Sequence, residues 1–429
     1  MIDLEIIYEK VDNLDPEKFM SILKKMIAID TSIPPANTYR EYVDVISPYF
    51  KDLGYSLEEV VVPEELVQQI PYPLEGPRIN LVATKDFGQE KYVSFYGHMD
   101  VVPATEEGNQ KWRYPPFEAT MNRRGKIFGR GVGDMKGAMA CLITALQIIE
   151  KLSLTPKYNV RVLNCTDEEV GTYPGICYLT EKGYVKGTVI CMDIGIEPNI
   201  PPGLAGNMTI TVETCGKSCH AGVNFMGVNA LEEMVPILDE LMKLKKVVED
   251  RESKDVPGFP RFDTGEKRNM SPMFNLDIIQ AGTKSNIVPD ICTLIIDRRI
   301  IPDESVEDVQ KEIEEAIERG KARSKALDVK MTFEYSNPPT KSDLNSPNLI
   351  RFKKVISKVQ NVEEEEISTI GLPFASDMGF INQILNTEDI IITGLATLKS
   401  NTHGVNESVT YNDVKTFIKE IIVFLCADL

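Results

Sequence analysis

Apolar residues recur at helical spacing in two segments near the start of the chain. The first follows Pro16, and the second covers residues 42–53 and ends at Gly54. Short apolar runs then predict strands at residues 80–83, 92–96, 160–164 and 188–192. A helix is predicted at residues 139–152, between the second and third of these strands. Strands that alternate with helices favour an α/β fold with a doubly wound, mainly parallel sheet.

The hydrophobic pattern changes near Gly206. Alternating apolar residues predict strands at residues 208–213, 273–279, 292–297 and 329–335, and helical periodicity predicts helices at residues 230–244 and 305–317. Two helices beside a four-stranded antiparallel sheet form an α+β unit. The alternation of helices and strands resumes near Ser346. We therefore expect a discontinuous α/β domain of residues 1–206 and 338–429, interrupted by an inserted domain of residues 207–337.

The composition is that of a globular protein, and it narrows the range of partners. Of the 429 residues, 42% are apolar and 26% are charged, which argues against extensive disorder. The formal net charge of −18 repels phosphate backbones, so nucleic acid is not an expected partner. The sequence has no run of about 18 apolar residues, so a membrane span is not expected.

The cysteines and the first residues favour a cytoplasmic location. The eight cysteines form no CxxC pair, and a chain of this size needs no disulfide scaffold, so reduced thiols are expected. The opening segment MIDLEIIYEK lacks the basic and then apolar pattern of a secretory signal. Cys215 and Cys219 lie near His220, and we expect them to be buried or half-buried thiols.

The sequence contains three histidines, His98, His220 and His403. His98 follows a predicted strand in the segment YGHMDVVP, and open α/β sheets bind their ligands at the carboxyl ends of strands. Asp100 can hydrogen-bond the imidazole nitrogen that does not face a metal, which would fix the tautomer. A loop histidine paired with a neighbouring aspartate would give the same segment, so the residues alone leave both interpretations open.

Asp134 lies in the glycine-rich segment GRGVGDMKGAMA, directly before a predicted helix. Glycines let the backbone turn tightly and approach a ligand closely. Such a loop can bind phosphate, but GxGxxG is absent and Lys136 does not lie in a P-loop pattern. The two oxygens of one aspartate can instead bridge two cations roughly 3.5–4 Å apart.

Further carboxylates and the last histidine follow other predicted strands. Glu168 and Glu169 lie in NCTDEEVGT, where one could bind a metal and the other could act as a base, because adjacent side chains point in different directions. An acidic helix start would give the same pattern. Asp193 closes the strand in VICMDIG, and His403 lies in NTHGVNES after the apolar run 390–393. Two histidines and three carboxylates fit a pair of zinc ions, and cobalt or manganese would also suit them.

In this order the motifs resemble those of the M20 metallopeptidases, a family that includes acetylornithine deacetylase, succinyl-diaminopimelate desuccinylase, aminoacylase-1 and glutamate carboxypeptidase. The resemblance covers nearly the whole chain and implies a catalytic domain that binds two divalent metal ions. The ligands that it implies are His98, Asp134, Glu169, Asp193 and His403. It also implies that Asp100 orients His98 and that Glu168 is the general base. The segment CMDIG departs from the GEP of the two biosynthetic deacylases.

The inserted domain also carries segments that are similar to this family. GKSCHAGVNFMGVNA resembles the segment whose histidine reaches the active site from a lid or from a dimer mate, which would make His220 a catalytic residue that stabilises the oxyanion. GTKSNIVPD and DRRIIP resemble substrate-binding stretches and point to Asn286 and Arg299. In this family the inserted domain also pairs two subunits, so the resemblance implies a homodimer.

The expected function is hydrolysis of the amide bond of a small N-acyl amino acid, of the deacetylase or desuccinylase type. A metallo-carboxypeptidase or dipeptidase that acts on small peptides is an alternative on the same scaffold. A non-catalytic metal- or ligand-binding protein is a more distant alternative, and such a protein should lack the base that Glu168 would provide.

Overall fold

The computed structural model describes residues 4–106, 108–195 and 198–429. Its contacts divide the chain into two compact units. Unit 1 comprises the described residues of Met1–Pro202, Ser342–Thr369 and Phe380–Leu429, and unit 2 comprises Gly203–Lys341 and Ile370–Gly379. The short segment Ile370–Gly379 lies outside the predicted inserted domain of residues 207–337, because no periodicity connects it with the rest of unit 2.

Helices and strands alternate over most of unit 1, as the hydrophobic pattern predicts. The helices along the described chain are α1 (Leu4–Asp12), α2 (Pro16–Ile27), α3 (Tyr39–Asp52), α4 (Glu64–Val67), α5 (Lys136–Lys151), α6 (Gly175–Glu181), α7 (Ala230–Glu249), α8 (Val306–Lys321), α9 (Pro347–Gln360), α10 (Met378–Leu385) and α11 (Tyr411–Cys426). The strands are β1 (Ser56–Val61), β2 (Ile79–Lys85), β3 (Tyr92–His98), β4 (Thr120–Met121), β5 (Lys126–Phe128), β6 (Asn159–Cys165), β7 (Thr188–Cys191), β8 (Gly203–Leu204), β9 (Gly206–Cys215), β10 (Cys219–His220), β11 (Met273–Ala281), β12 (Ile287–Val288), β13 (Ile291–Ile300), β14 (Asp328–Asn337), β15 (Thr340–Lys341), β16 (Ile390–Ile392) and β17 (Ser408–Thr410).

The central sheet of unit 1 has the strand order β1-β2-β6-β3-β7-β16. The strands β6, β3, β7 and β16 run parallel to one another, whereas β2 is antiparallel to both β6 and β1. This mainly parallel sheet confirms the predicted fold class. The edge strand β1 was not predicted, because its sequence SLEEVV is mostly exposed and lacks a continuous apolar run.

Helix α5 lies in the core of unit 1 and fixes the loop that precedes it. Its residues are buried almost without interruption, and it packs against α2, α11 and β3. The helix begins at Lys136, whereas the predicted start is residue 139. The apolar pattern does not include Lys136, because it is charged, although its side chain is buried. Its Nζ donates hydrogen bonds to the main-chain oxygens of Ile29 at 2.8 Å and Met26 at 3.4 Å. The position of the Asp134 loop therefore follows from the packing of α5.

Unit 2 is built on an antiparallel sheet of strand order β11-β13-β9-β14. Alternate residues of β9 and β13 are buried, as expected for strands with one face on a core. The helices α7 and α8 pack on one another, and their apolar residues share that core. This α+β arrangement agrees with the predicted inserted fold. Two short ribbons, β10 with β12 and β8 with β15, complete unit 2.

All eight cysteines are free thiols, and Cys215 and Cys219 are half-buried, as expected. Among the helices described above, none combines the length and apolar character that crossing a bilayer requires.

Candidate metal centre

The carboxyl ends of three neighbouring strands carry three of the predicted metal ligands. His98 is the last residue of β3. Glu169 lies in a short 3-10 helix, Glu168–Val170, that closely follows β6, and Asp193 comes just after the end of β7. Because these strands are adjacent and parallel, their carboxyl ends meet at one edge of the sheet, where α/β proteins bind ligands.

The five predicted ligands form two groups that share one carboxylate. In the first group, His98 Nε2 lies 3.0 Å from Asp134 Oδ1 and 3.6 Å from Asp193 Oδ1. In the second group, His403 Nε2 lies 3.0 Å from both Asp134 Oδ2 and Glu169 Oε2. Within each group the candidate ligand atoms lie within 4.8 Å of one another. The two oxygens of Asp134 therefore face different histidines.

These separations fit a metal ion in each group. Two ligand atoms bound at roughly 2.1 Å to one tetrahedral ion lie about 3.4 Å apart, and the separations in the two groups are 3.0–3.6 Å. Glu169 Oε1 is buried and has no hydrogen-bond partner among the described residues, so its lone pairs are available. Imidazole nitrogen and carboxylate oxygen are donors that zinc, cobalt and manganese accept.

The clustered acids and histidines shift one another's pKa. Burial and the charge of Asp134 raise the pKa of Glu169 to about 7, and the same two causes raise the pKa of Asp193. Burial alone would lower the pKa of His98, but its contacts with Asp134 and Asp193 raise it well above the ordinary value. Burial would raise the pKa of Asp134, but hydrogen bonds from His403 and His98 hold it well below its usual range. A divalent cation would offset this concentration of buried negative charge.

The loop that carries Asp134 requires glycine at two positions. Gly131 has a φ of +83°, a conformation that L side chains rarely adopt. A Cβ on Gly137 would lie 2.0 Å from the carbonyl oxygen of Val132. The glycines of GRGVGDMKG therefore serve the tight path of the chain into α5.

Asp100 contacts both ligand groups, although not in the way that the sequence suggested. The main-chain oxygen of Asp100, rather than its carboxylate, lies 3.0 Å from His98 Nδ1, and the nearer carboxylate oxygen lies 3.7 Å from that atom. Carboxylate Oδ2 instead accepts a 2.9 Å hydrogen bond from the main-chain nitrogen of Glu169. Asp100 thus connects a ligand of the first group with a ligand of the second.

Glu168 and Glu169 differ in their surroundings. Glu168 is 8% exposed and is not in either ligand group, whereas Glu169 contributes Oε2 to the second group. Only Glu169 of the pair therefore lies among the candidate metal ligands.

Sequence reasoning missed a buried ion pair beside the ligands. Arg130 Nη1 lies 2.6 Å from Glu407 Oε2. Both residues lie within the motifs GRGVGDMKG and THGVNE, but neither was singled out. The signal that could have found them is a pair of opposite charges, one in each of two ligand motifs.

The other predicted site residues, His220, Asn286 and Arg299, lie in unit 2. His220 ends β10, which pairs with β12, and Asn286 directly precedes β12, so these two residues are neighbours. Arg299 lies near the far end of β13, and its Nε donates a 2.8 Å hydrogen bond to Asp297. At roughly 3.3 Å per residue, Arg299 is about 25 Å from the start of β13, the end nearer β12. Within one unit, the structure brings His220 and Asn286 together but not Arg299.

A mainly parallel α/β sheet whose carboxyl edge carries two carboxylate–histidine groups sharing an aspartate defines a metal-dependent hydrolase. The chain belongs to Peptidase family M20/M25/M40, whose profile matches residues 94–425. This confirms the resemblance that the motifs indicated, and with it the hydrolysis of amide bonds.

Two relatives and two solved structures show the range of similar proteins. The chain is 27% identical over 372 residues to a probable succinyl-diaminopimelate desuccinylase of Staphylococcus aureus, covering 81% of this chain and 84% of the relative. It is 29% identical over 330 residues to an N-formyl-4-amino-5-aminomethyl-2-methylpyrimidine deformylase of Halalkalibacterium halodurans, covering 73% and 71%. Human carnosine dipeptidase 1 has a TM-score of 0.73 at 20% identity over 98% of both chains. A Staphylococcus aureus tripeptidase has a TM-score of 0.74 at 19% identity over 96% of this chain and 98% of its own, so these structures share the fold.

Proposed function

We propose that the chain is a two-metal hydrolase that removes the acyl group from a small N-acyl amino acid, as a deacetylase or desuccinylase does. The observation that carries the proposal is the position of Asp134, whose two oxygens each lie 3.0 Å from a different histidine. A carboxylate shared in this way suits two ions roughly 3.5–4 Å apart. The names of the similar desuccinylase and deformylase describe removal of an acyl group, which supports an acylated substrate.

The proposed ligands divide between the two ions. His98, Asp134 and Asp193 would hold one ion, and Asp134, Glu169 and His403 would hold the other. Zinc is the ion that we propose, and cobalt or manganese would suit the same donors. When bound, the two ions would polarise the scissile carbonyl and lower the pKa of a water molecule.

Glu168 is the proposed general base. It is buried next to Glu169 in the chain and belongs to neither ligand group, so a role in proton transfer suits it better than a role in metal binding. It would take a proton from the attacking water and deliver it to the leaving amine nitrogen as the C–N bond breaks. The main-chain oxygen of Asp100 would hold His98 Nδ1 in a hydrogen bond, so that Nε2 is the nitrogen that faces the first group.

Residues of unit 2 would complete the site through a homodimer. His220 would stabilise the oxyanion, Asn286 would hydrogen-bond the substrate, and Arg299 would hold a substrate carboxylate in a forked pair. Within one copy, His220 and Asn286 are about 25 Å from Arg299 along β13. A small substrate cannot span that distance. A dimer in which one copy supplies His220 and Asn286 while the other supplies Arg299 removes the difficulty, and this geometry supports the proposed homodimer.

A cytoplasmic location belongs to the same proposal. The eight free thiols suit a reducing compartment.

A hydrolysis screen tests the proposed activity. Protein stripped by a chelator and reloaded with zinc, cobalt or manganese would be assayed against N-acetyl, N-formyl and N-succinyl amino acids and against dipeptides. We expect at least one N-acyl amino acid to be cleaved faster than the dipeptides. Asp134→Asn should abolish turnover, whereas the control Asp44→Asn, whose side chain is 64% exposed on α3, should retain it.

Two results would change the proposal. If the protein cleaves only dipeptides, the proposed function changes from a deacylase to a dipeptidase on the same scaffold. A fully metal-loaded protein that hydrolyses none of these compounds would contradict the proposed substrate class.

A further inference from the structure

A buried ion pair joins the two loops that carry Asp134 and His403. Arg130 Nη1 lies 2.6 Å from Glu407 Oε2, and each side chain is 1% exposed. Buried ion pairs contribute little to stability on balance, because desolvation offsets much of their attraction. The contacts that this pair makes beyond itself therefore indicate its role.

Glu407 holds the main chain of the Asp134 loop. Its Oε1 accepts hydrogen bonds from the main-chain nitrogens of Gly133 at 2.8 Å and Asp134 at 3.2 Å. Its Oε2 accepts another from Gly131 at 3.1 Å. The Glu407 carboxylate thus fixes the stretch of backbone that positions Asp134, the ligand shared by the two groups.

Arg130 holds the loop of His403. Its Nη2 donates a 3.0 Å hydrogen bond to the main-chain oxygen of His403. His403 has a φ of +63°, which is uncommon for a residue other than glycine. Its side chain is also 56% exposed, so packing contributes little to its placement. The hydrogen bond from Arg130 is therefore an important constraint on this ligand.

The ligands found only in the first group have supports of their own. His98 is the last residue of β3, its side chain is fully buried, and its Nδ1 is bonded to the Asp100 main chain. Asp193 is two residues beyond the end of β7 and forms a β-bridge with Gly394. The contacts of the ion pair reach two members of the second group but only the shared member of the first.

We propose that Arg130 and Glu407 are positioning residues that set the metal affinity of the second group, formed by Asp134, Glu169 and His403. This inference rests on the proposed two-metal function. Loss of a contact that orients a ligand typically costs about 10–100-fold in metal affinity. Breaking the Arg130–Glu407 pair should therefore lower the metal affinity of the second group by that factor and lower the metal affinity of the first group much less.

Two variants and a matched control test the inference. Glu407→Gln keeps the side-chain shape but removes the charge, and Arg130→Lys keeps the charge but lacks the fork that reaches both Glu407 and His403. The control, Glu304→Gln, breaks a largely buried pair of unit 2 in which Arg298 Nη2 lies 2.6 Å from Glu304 Oε1. Each full-length, chelator-stripped protein would be titrated with Co²⁺ by absorption and calorimetry, and its fold would be checked by urea unfolding.

Single-group backgrounds identify which group is weakened. His98→Ala leaves the second group intact, and His403→Ala leaves the first. We expect Glu407→Gln to lower Co²⁺ affinity about 10–100-fold in the His98→Ala background and much less in the His403→Ala background. Glu304→Gln should lower the affinity in neither.

Several outcomes would overturn the inference. These are equal weakening in both backgrounds, unchanged affinity in Glu407→Gln and Arg130→Lys, or the same loss in Glu304→Gln. If Glu407→Gln does not fold, Arg130→Lys decides by the same criterion. If the wild-type protein binds only one metal ion, both the two-metal function and this inference are overturned. If the wild-type protein binds two ions and the variants bind them with unchanged affinity, only this inference is overturned.

Discussion

Arg78 Nε lies 3.3 Å from Asp167 Oδ1, and both side chains are buried. Asp167 is the first of three consecutive carboxylates, followed by Glu168 and Glu169. Tyr39 donates a 2.9 Å hydrogen bond to the same Asp167 oxygen. Burial raises the pKa of Asp167 to about 6, and the charge of Arg78 opposes that rise. The protein therefore supplies positive charge for the first of the three acids itself, through Arg78.

Removing Arg78 should destabilise the fold. We expect Arg78→Met to lower the free energy of unfolding by about 3–5 kcal/mol, because a buried carboxylate would lose its ionic partner. The same guanidinium also donates hydrogen bonds to the main-chain oxygens of Pro35, Ala36, Glu75 and Gly76. The control is Arg40→Met, since Arg40 is 2.8 Å from Glu59 but about half exposed, and exposed pairs contribute about 0–1 kcal/mol. Urea unfolding measures both losses, and similar values for the two variants would contradict the prediction.

The two glutamates after Asp167 should respond differently to removal of their charge. Glu168→Gln should retain both metal ions and lose about 10²–10⁴ in turnover, as expected when a general base is removed. Glu169→Gln should weaken metal binding, because Glu169 Oε2 belongs to the second group. Metal analysis after dialysis and steady-state kinetics distinguish the two effects. The opposite pattern would exchange the roles of the two residues.

Metal uptake should release protons. Burial alone would lower the pKa of His403, but its contacts with Asp134 and Glu169 raise it to about 11. Solvent weakens this shift, since 56% of the side chain is exposed. Below its pKa the imidazole carries a proton that a metal ion must displace. Metal affinity should therefore fall as the pH falls, and calorimetry in buffers of different ionisation enthalpy should count the released protons; heats that do not depend on the buffer would contradict this.

The same shift predicts how stability depends on pH. In the chelated protein, the raised pKa of His403 stabilises the fold fully below the unfolded value of roughly 6.5. That contribution is lost as the pH rises through about 11. Metal affinity rises over the same interval, so the increase in melting temperature on adding metal should grow with pH. Thermal melts with and without Zn²⁺ at several pH values test this, and an increase that shrinks with pH would be inconsistent with it.

The single tryptophan should report metal binding. The Arg130 guanidinium lies over the Trp112 ring, 5.4 Å from its centroid, and Arg130 also bonds the main chain of His403. We expect Zn²⁺ to change Trp112 fluorescence in proportion to occupancy of the second group. His403→Ala should remove most of the change, and the control Glu304→Gln should preserve it. If the fluorescence stays constant while metal analysis shows full loading, Trp112 does not sense metal binding and the prediction is wrong.

The proposed homodimer makes a prediction about mixed variants. His220→Ala should lower turnover by about 10²–10³, as loss of one oxyanion donor does, and retain the metals. When His220→Ala and Glu168→Gln chains are mixed after reversible dissociation, a mixed dimer regains one complete site if His220 acts across the interface. Random pairing predicts that about a quarter of all sites are active. No recovery, with mixed dimers verified by mass spectrometry, would place His220 in the site of its own chain.

The sequence predicts the strands that precede or carry His98, Glu169 and Asp193 because each is an apolar run with its polar residue shortly after it. Their chemistry and their position in the fold are therefore encoded locally. The three-stranded sheet formed by β17, β5 and β4 was not predicted, because strands of two or three residues leave no periodic signal.

Ion pairs between residues far apart in the chain also could not be predicted from the hydrophobic pattern. Arg130 and Glu407 are 277 positions apart, and Arg78 meets Asp167 only after the sheet has formed. Nothing in a periodic pattern identifies which distant charges will be buried together. The roles of His220, Asn286 and Arg299 depend on how units and copies assemble, and they stay predictions.

The position of Asp134 between two histidines has a consequence for how metal loading proceeds. If the proposed ions bind, a first ion on the Asp134 carboxylate would reduce its attraction for a second ion, but it would also hold the carboxylate in place, which would favour the second ion. The proposed two-metal site would therefore be thermodynamically linked, and the affinity of each group would depend on whether the neighbouring group is filled. Partially loaded protein would then be a distribution of species set by that linkage, and we expect that a metal titration would not resolve into two independent isotherms.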